Sequence, residues 1–241
     1  QFVIPGATSD ADKLVGTAYT LTAADVAAGK AHILVNKTDI AGATVVDGVY
    51  NLVARTYDAA GNTHDSATLA ITVDSVAVSA NLTVSSYETD ATTARATGEA
   101  DRFLANSETN VVLKVDSTLN STNSSLKVGD VITLQVKDEA ASTLAGTDVY
   151  KDLVDSAATA SATAAATSAN GGTPTTVTVY YTYTVTHDDL ADGNGPNNAA
   201  YIQINKTDLT EGVKNNIRAH VVDLAGNTSD TVPVGITVQA P

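Results

Sequence analysis

Short β-branched and apolar runs, each closed by turn-forming residues, set the pattern of this chain. From Val49 to Tyr57 apolar and polar positions alternate, with one slip among Val49, Leu52 and Ala54 where a bulge would fit. Strands are likewise predicted at Ile33–Asn36 and Thr68–Val73. Further along they are expected near 78–86, 110–116, 131–137, 176–186, 199–205, 215–222 and 233–239. Phe2-Val3-Ile4 reads as a strand that Pro5-Gly6 ends, and Tyr19–Thr22 as the end of another. Ala23–Gly29 reads as a short helical turn or loop, with Thr22 as its cap, Asp25 in its first turn and Gly29 closing it. Leu126–Asp130 is a turn feeding the strand that begins at Val131.

The pattern repeats. Asp58-Ala59-Ala60-Gly61-Asn62-Thr63 returns 165 residues later as Asp223-Leu224-Ala225-Gly226-Asn227-Thr228. In each, a β-rich run ends at an Asp that can bond the turn backbone; Gly supplies positive φ and Asn tolerates the left-handed region. Upstream, Tyr183–Thr186 matches Tyr19–Thr22, Asp189–Gly193 matches Asp25–Gly29, and Asn205–Leu209 matches Asn36–Ile40. Two β-domains in tandem are expected, at 1–75 and 76–241.

The seven strands of 76–241 suit an all-β fold, an immunoglobulin-like β-sandwich. The last four would be strands D to G, and the first copy holds only these, so 1–75 is expected to be a partial domain. Its inner face (Ile33, Val35, Leu52, Leu69, Ile71 and Val73) then needs cover from a longer array or from another subunit by strand addition. Residues 138–175 form a long insertion. Its Ala/Ser/Thr tract, Ala157–Ala169, is expected to be mostly irregular rather than a helix begun at Asp148, because Ser and Thr dilute the helical signal.

Composition narrows the function. Thirteen Lys and Arg against 27 Asp and Glu give a net charge of −14, which argues against nucleic acid and anionic membrane as partners. There is no Cys, and aromatics are only 5% of residues, so the cores must be built from Val, Ile, Leu and Ala. No run reaches the length of a membrane span. Without an initiator Met or signal peptide, the sequence reads as processed or as a piece of something longer.

The stretch Tyr19–Gly29, followed by Tyr57–Thr63 and Ile71-Thr72-Val73-Asp74, resembles the bacterial immunoglobulin-like repeats of giant cell-surface adhesins and surface-layer proteins. The resemblance covers about the last 57 residues of each copy. The chain departs from the family in its insertion and in Ser75-Val76-Ala77, where the family often has Pro after the linker Asp. The resemblance implies a non-enzymatic, extracellular stalk or extender whose partners are neighbouring domains or identical subunits. A surface-layer or filament subunit is the alternative. A third reading is a carbohydrate-binding module stacking sugars on Tyr180, Tyr181 and Tyr183.

Catalytic patterns are missing from the sequence. His32, His64, His187 and His220 stand apart, and no nucleophile elbow or phosphate loop is present. His220 is expected to be a structural strand residue. Strand directions instead gather Asp74, Asp189, Asp192, Asp223 and Asn227 at the domain junction, an oxygen-rich set suited to structural Ca²⁺. The competing reading is that Asp189 caps a turn and Asp223 bonds its own loop, with no metal. Glycosylation sequons occur at Asn36, Asn81, Asn120, Asn123, Asn205 and Asn227.

Overall fold

The computed structural model describes residues 1–8, 11–42, 46–90, 93–96, 103–104, 108–117, 125–169, 175–190 and 199–239. The chain divides into two compact units, Gln1–Val76 and Ala77–Pro241.

In the first unit β1 (Phe2–Thr8) and β2 (Ala11–Val15) form an antiparallel hairpin. Helices α1 (Ala23–Ala28) and α2 (Lys37–Ala41) follow, then β3 (Gly48–Tyr57), β4 (Thr63–Asp65) and β5 (Leu69–Val73). β3 is central: it pairs antiparallel with β1, β4 and β5. α1 forms as its residues dictate, with a capping box between Thr22 and Asp25 and a left-handed Gly29. Pro5-Gly6 does not end β1. Gly6 adopts φ 63°, and the ladder shifts register between Ile4 and Thr8, so the strand bends and continues.

Ile4, Val15, Ile40, Leu52 and Val73 make the core, with Val35 and Ile71 packed partly buried against it. Leu69, 61% exposed, and Ile33, half-buried, leave part of the inner face that needs cover open. One expectation fails here. Tyr19–Thr22 and Ile33–Asn36 belong to no strand. A strand needs a ladder partner for its backbone groups, and among the described residues this unit offers those segments none.

The strands of the second unit, in chain order, are β6 (Ala80–Asp90), β7 (Thr93–Ala96), β8 (Phe103–Leu104), β9 (Asn110–Ser117), β10 (Val131–Lys137), β11 (Tyr150–Asp152), β12 (Thr182–Thr184), β13 (Ala199–Asn205), β14 (Lys214–Val222), β15 (Thr228–Asp230) and β16 (Val234–Val238). One sheet runs β13-β9-β6-β7. The other runs β11-β10-β14-β16-β8, with β12 also on β10 and β15 on β14. Among the described residues the named strands of this unit pair antiparallel, except β16 with β8.

Alternation decides the packing. Val111, Leu113 and Val115 of β9 and Ile202 and Ile204 of β13 point inward from one sheet. Ile132 and Leu134 of β10, Ile217 and Val221 of β14, and Ile236 of β16 meet them from the other. Burying each such side chain contributes about 1.5–3 kcal/mol. The unit is an all-β sandwich. Its pairing of β9 with β13 and its order β10-β14-β16 are those of strands B–E and C–F–G in immunoglobulin-like domains.

The segment expected as strand D departs from that plan: only Thr182–Thr184 is strand, and it joins β10. The Ala/Ser/Thr tract is not irregular. It is helix α4 (Ser156–Ala169), which follows a shorter helix, α3 (Glu139–Ala145). Three threonines one turn apart explain it. Thr159 Oγ1 donates to the Val179 carbonyl (3.2 Å) and accepts from its N–H (2.9 Å). Thr163 does the same with Val177 (3.0 Å each), and Thr167 with Thr175 (3.4 and 3.1 Å). Four helical residues rise about 6.0 Å and two extended residues about 6.6 Å, so the two spacings match. Each hydroxyl acts as one residue of a β-ladder.

Candidate functional site

The repeated motifs fold into the same polar clamps. Asp58 Oδ1 accepts from the N–H groups of Ala60 (2.9 Å) and Asn62 (2.8 Å), and Oδ2 from Asn62 Nδ2 (2.7 Å). Asp223 accepts from Ala225 (2.9 Å), Asn227 (2.8 Å) and Asn227 Nδ2 (2.9 Å) in the same way. Those amide bonds hold the Asp58 carboxyl below the usual carboxylate value, the Asn62 side chain contributing most. The offset of 165 carries β3, β4 and β5 onto β14, β15 and β16. It also carries the exposed ion pair Arg55–Asp65 (2.7 Å) onto His220–Asp230 (2.7 Å), so His220 is a strand residue held by a carboxylate.

A second clamp also repeats. Asp25 accepts from Thr22 N (2.8 Å), Thr22 Oγ1 (2.7 Å) and Tyr19 Oη (2.9 Å). Asp189 accepts from Thr186 N (2.7 Å), Thr186 Oγ1 (2.7 Å) and Tyr183 Oη (2.8 Å). The third differs. In the first unit Asn36 N donates directly to Asp39 (3.1 Å). In the second, Tyr181 stands between: its hydroxyl accepts from Asn205 N (3.0 Å) and donates to Asp208 (2.6 Å). Burial first, and then the Asp208 carboxylate, push the Tyr181 phenol above its ordinary value.

These contacts separate the three tyrosines. Tyr181 lies in the core, Tyr183 is bonded to Asp189, and only Tyr180, 42% exposed, faces outward.

The five residues expected to bind calcium divide between the units. Asp74 belongs to the first, where it accepts from Val76 N (3.1 Å). Asp189, Asp223 and Asn227 belong to the second, in the clamps just described, and Asp192 lies outside the described residues. Among the described residues no group of three or more His, Asp or Glu is placed to hold a metal ion. The amides of the sequon residues Asn36, Asn205 and Asn227 are engaged in the clamps, while Asn120 and Asn123 lie outside the described residues.

Sequence reasoning missed Asp130, which is fully buried where the turn meets β10. Its oxygens accept from Lys127 N (2.7 Å) and Leu224 N (3.3 Å), tying that turn to the Asp223 clamp. Gly129 makes the approach possible: it adopts φ 96°, and a Cβ there would stand 2.9 Å from Leu224 Cδ2. The signal available in the sequence was the Gly-Asp pair at the head of an apolar strand.

Burial pushes the Asp130 carboxyl above its ordinary value, and Asp223 nearby adds to the rise. The folded protein therefore holds this proton more tightly than the unfolded chain. Its contribution to stability is full below the unfolded value, about 3.8, and is lost as pH rises through the raised folded value. Urea midpoints of the wild type and Asp130→Asn, measured from about pH 7 down to 4, should diverge in favour of the wild type as pH falls. A constant difference would overturn this.

Removing a clamp has a direct effect. Asp223→Ala removes the carboxylate that accepts from Ala225 N, Asn227 N and Asn227 Nδ2, at a position only 8% exposed. The expected cost is about 1–3 kcal/mol. Asp58→Ala should cost less, because water reaches the same groups. Chemical denaturation of each variant checks the order.

No family model matches the chain, and no curated protein matches it. It is similar to a solved structure described in the words "Ca2+-stabilized adhesin helps an Antarctic bacterium reach out and bind ice". The identity is 20% and the TM-score 0.33, over 84% of this chain and 34% of that one. The chain thus spans about a third of that protein's length. No helix among the described residues is long and apolar enough to cross a membrane.

Proposed function

We propose that the chain is a non-enzymatic structural segment of a microbial cell-surface protein, a stalk or extender built from repeated β-units. The observation that supports it is the repetition of the clamps. The hydrogen bonds that shape the Asp58 turn shape the Asp223 turn with nearly the same distances. Repetition of a scaffold in sequence supplies length without new chemistry. Antibodies raised against this chain and applied to intact cells test the reading. Surface labelling is expected; labelling only after lysis overturns it.

Structural calcium bound by acidic residues of this chain belongs to the same proposal. A net charge of −14 gives a divalent cation something to neutralise. Binding to the folded state alone would raise the melting temperature with free metal. A melting curve that is unchanged between calcium and chelator removes calcium and leaves the stalk reading intact.

A second reading, assembly into a surface layer or filament by strand addition, is supported by the open apolar face of the first unit. Leu69 is 61% exposed there, while its counterpart Val234 is 5% exposed. Concentration-dependent growth of sheets or fibres, seen by electron microscopy, would select it.

A further inference from the structure

We propose that the first unit takes up an extended strand of another polypeptide, laid antiparallel along residues 30–36. Its side chains would be apolar at alternate positions, and acidic opposite Lys30. The proposal deepens the assembly reading and rests on it only for where the strand comes from.

The second unit supplies the template. Its β13 alternates buried Ala200, Ile202 and Ile204 with outward Tyr201 and Gln203. Residues 30–36 are the matching segment, and their alternation is the same: Ala31, Ile33 and Val35 are half-buried, His32 and Leu34 exposed. β13 is a strand because β9 lies beside it, with Ile202 opposite Leu113, Ile204 opposite Val111 and Ala199 opposite Asp116. Residues 30–36 belong to no sheet in the structure. The sequence is that of a strand; the partner is what differs.

The face beneath is open in the same sense. In the second unit β6, the other neighbour of β9, packs across onto β14 and β16, and Ile236 is fully buried. Its counterpart Ile71 stays half-exposed. An open cavity of about 540 Å³ lies there, lined by Phe2, Ile33, Val35, Leu52, Leu69 and Ile71. An apolar trough beside backbone that belongs to no ladder, here residues 31–35, is what strand addition recognises: main-chain bonds give affinity, and alternate side chains fill the trough.

Charge selects the chemistry of the incoming strand. Lys30 stands where Ala199 stands in the second unit, and the residue facing that position is Asp116. A strand with the pattern of β9 would place its apolar side chains over the cavity and its acid against Lys30. Opposite charges directly across a ladder stabilise it, and like charges oppose it.

The experiment uses the full chain and a synthetic peptide of residues 108–117. A second peptide of the same composition has its apolar positions shifted by one. The matched peptide should bind saturably and slow hydrogen exchange at residues 31–35 by about tenfold or more, the signature of new ladder bonds. The shifted peptide, which turns its apolar side chains outward, should not. Lys30→Glu should weaken the matched peptide about two- to fivefold, the range of an exposed ion pair. No saturable binding, protection elsewhere, or equal binding of both peptides would overturn the proposal. Filaments that form regardless of the peptide would also overturn it while leaving surface assembly standing. Peptide binding with no filaments would support it and remove only the assembly reading.

Discussion

Ile236→Ala is expected to cost about 2–5 kcal/mol, the range for emptying a closed apolar core. The same change at Ile71, one repeat earlier, is expected to cost about 1 kcal/mol. The two isoleucines sit at equivalent places on β16 and β5 and differ in cover. Ile236 is fully buried between two sheets, so deletion leaves a cavity the surrounding strands cannot fill. Ile71 is half-exposed at the rim of an existing cavity, so water already bears on it and little packing is lost. Hydrogen exchange under increasing urea separates the units in the intact chain. Amides of β14 and β16 should lose the larger protection in Ile236→Ala, and amides of β3 and β5 the smaller in Ile71→Ala. Equal losses would mean that the first unit is as closed as the second.

The triple variant Thr159→Val, Thr163→Val, Thr167→Val should lose about 3–6 kcal/mol, because six hydrogen bonds disappear at about 0.5–1 kcal/mol net each. Valine has nearly the shape of threonine and a similar helix propensity, so helicity itself is little changed. What goes is the attachment. The N–H groups of Thr175, Val177 and Val179 and the Val177 carbonyl lose these hydroxyl partners, while the Val179 carbonyl keeps the Asp155 N–H (2.9 Å). Their amides should exchange at nearly unprotected rates while those of β9 and β13 stay protected. Retained protection at Val177 and Val179 would show that backbone packing, and not the hydroxyls, holds that segment.

The second unit was legible where alternation was strict. The spans expected at 131–137 and 199–205 are β10 and β13, because each side chain there has one face to choose. α1 was equally legible, since Thr22, Asp25 and Gly29 carry its start and stop within seven residues. Ile33–Asn36 reads as a strand and is not one, because a strand is a property of two segments and the sequence shows one. α4 was missed for the opposite reason. Its threonines weaken it as an isolated helix, and their partners lie between 8 and 20 residues downstream. Of the candidate site, the Asp58 and Asp223 clamps followed from their own six residues. Asp130 did not, because its donor Leu224 is 94 residues away.

The threonine face of α4 has a consequence for how this protein meets its neighbours. β11 and β12 lie on the side of β10 away from β14, where a sheet would otherwise end in a row of free N–H and carbonyl groups. Such margins recruit strands from other chains and begin aggregation. Here Thr159, Thr163 and Thr167 occupy the groups of 175–179 with side chains that belong to a helix, and a helix cannot be extended by another strand. The second unit is thus insulated on that side against indiscriminate pairing.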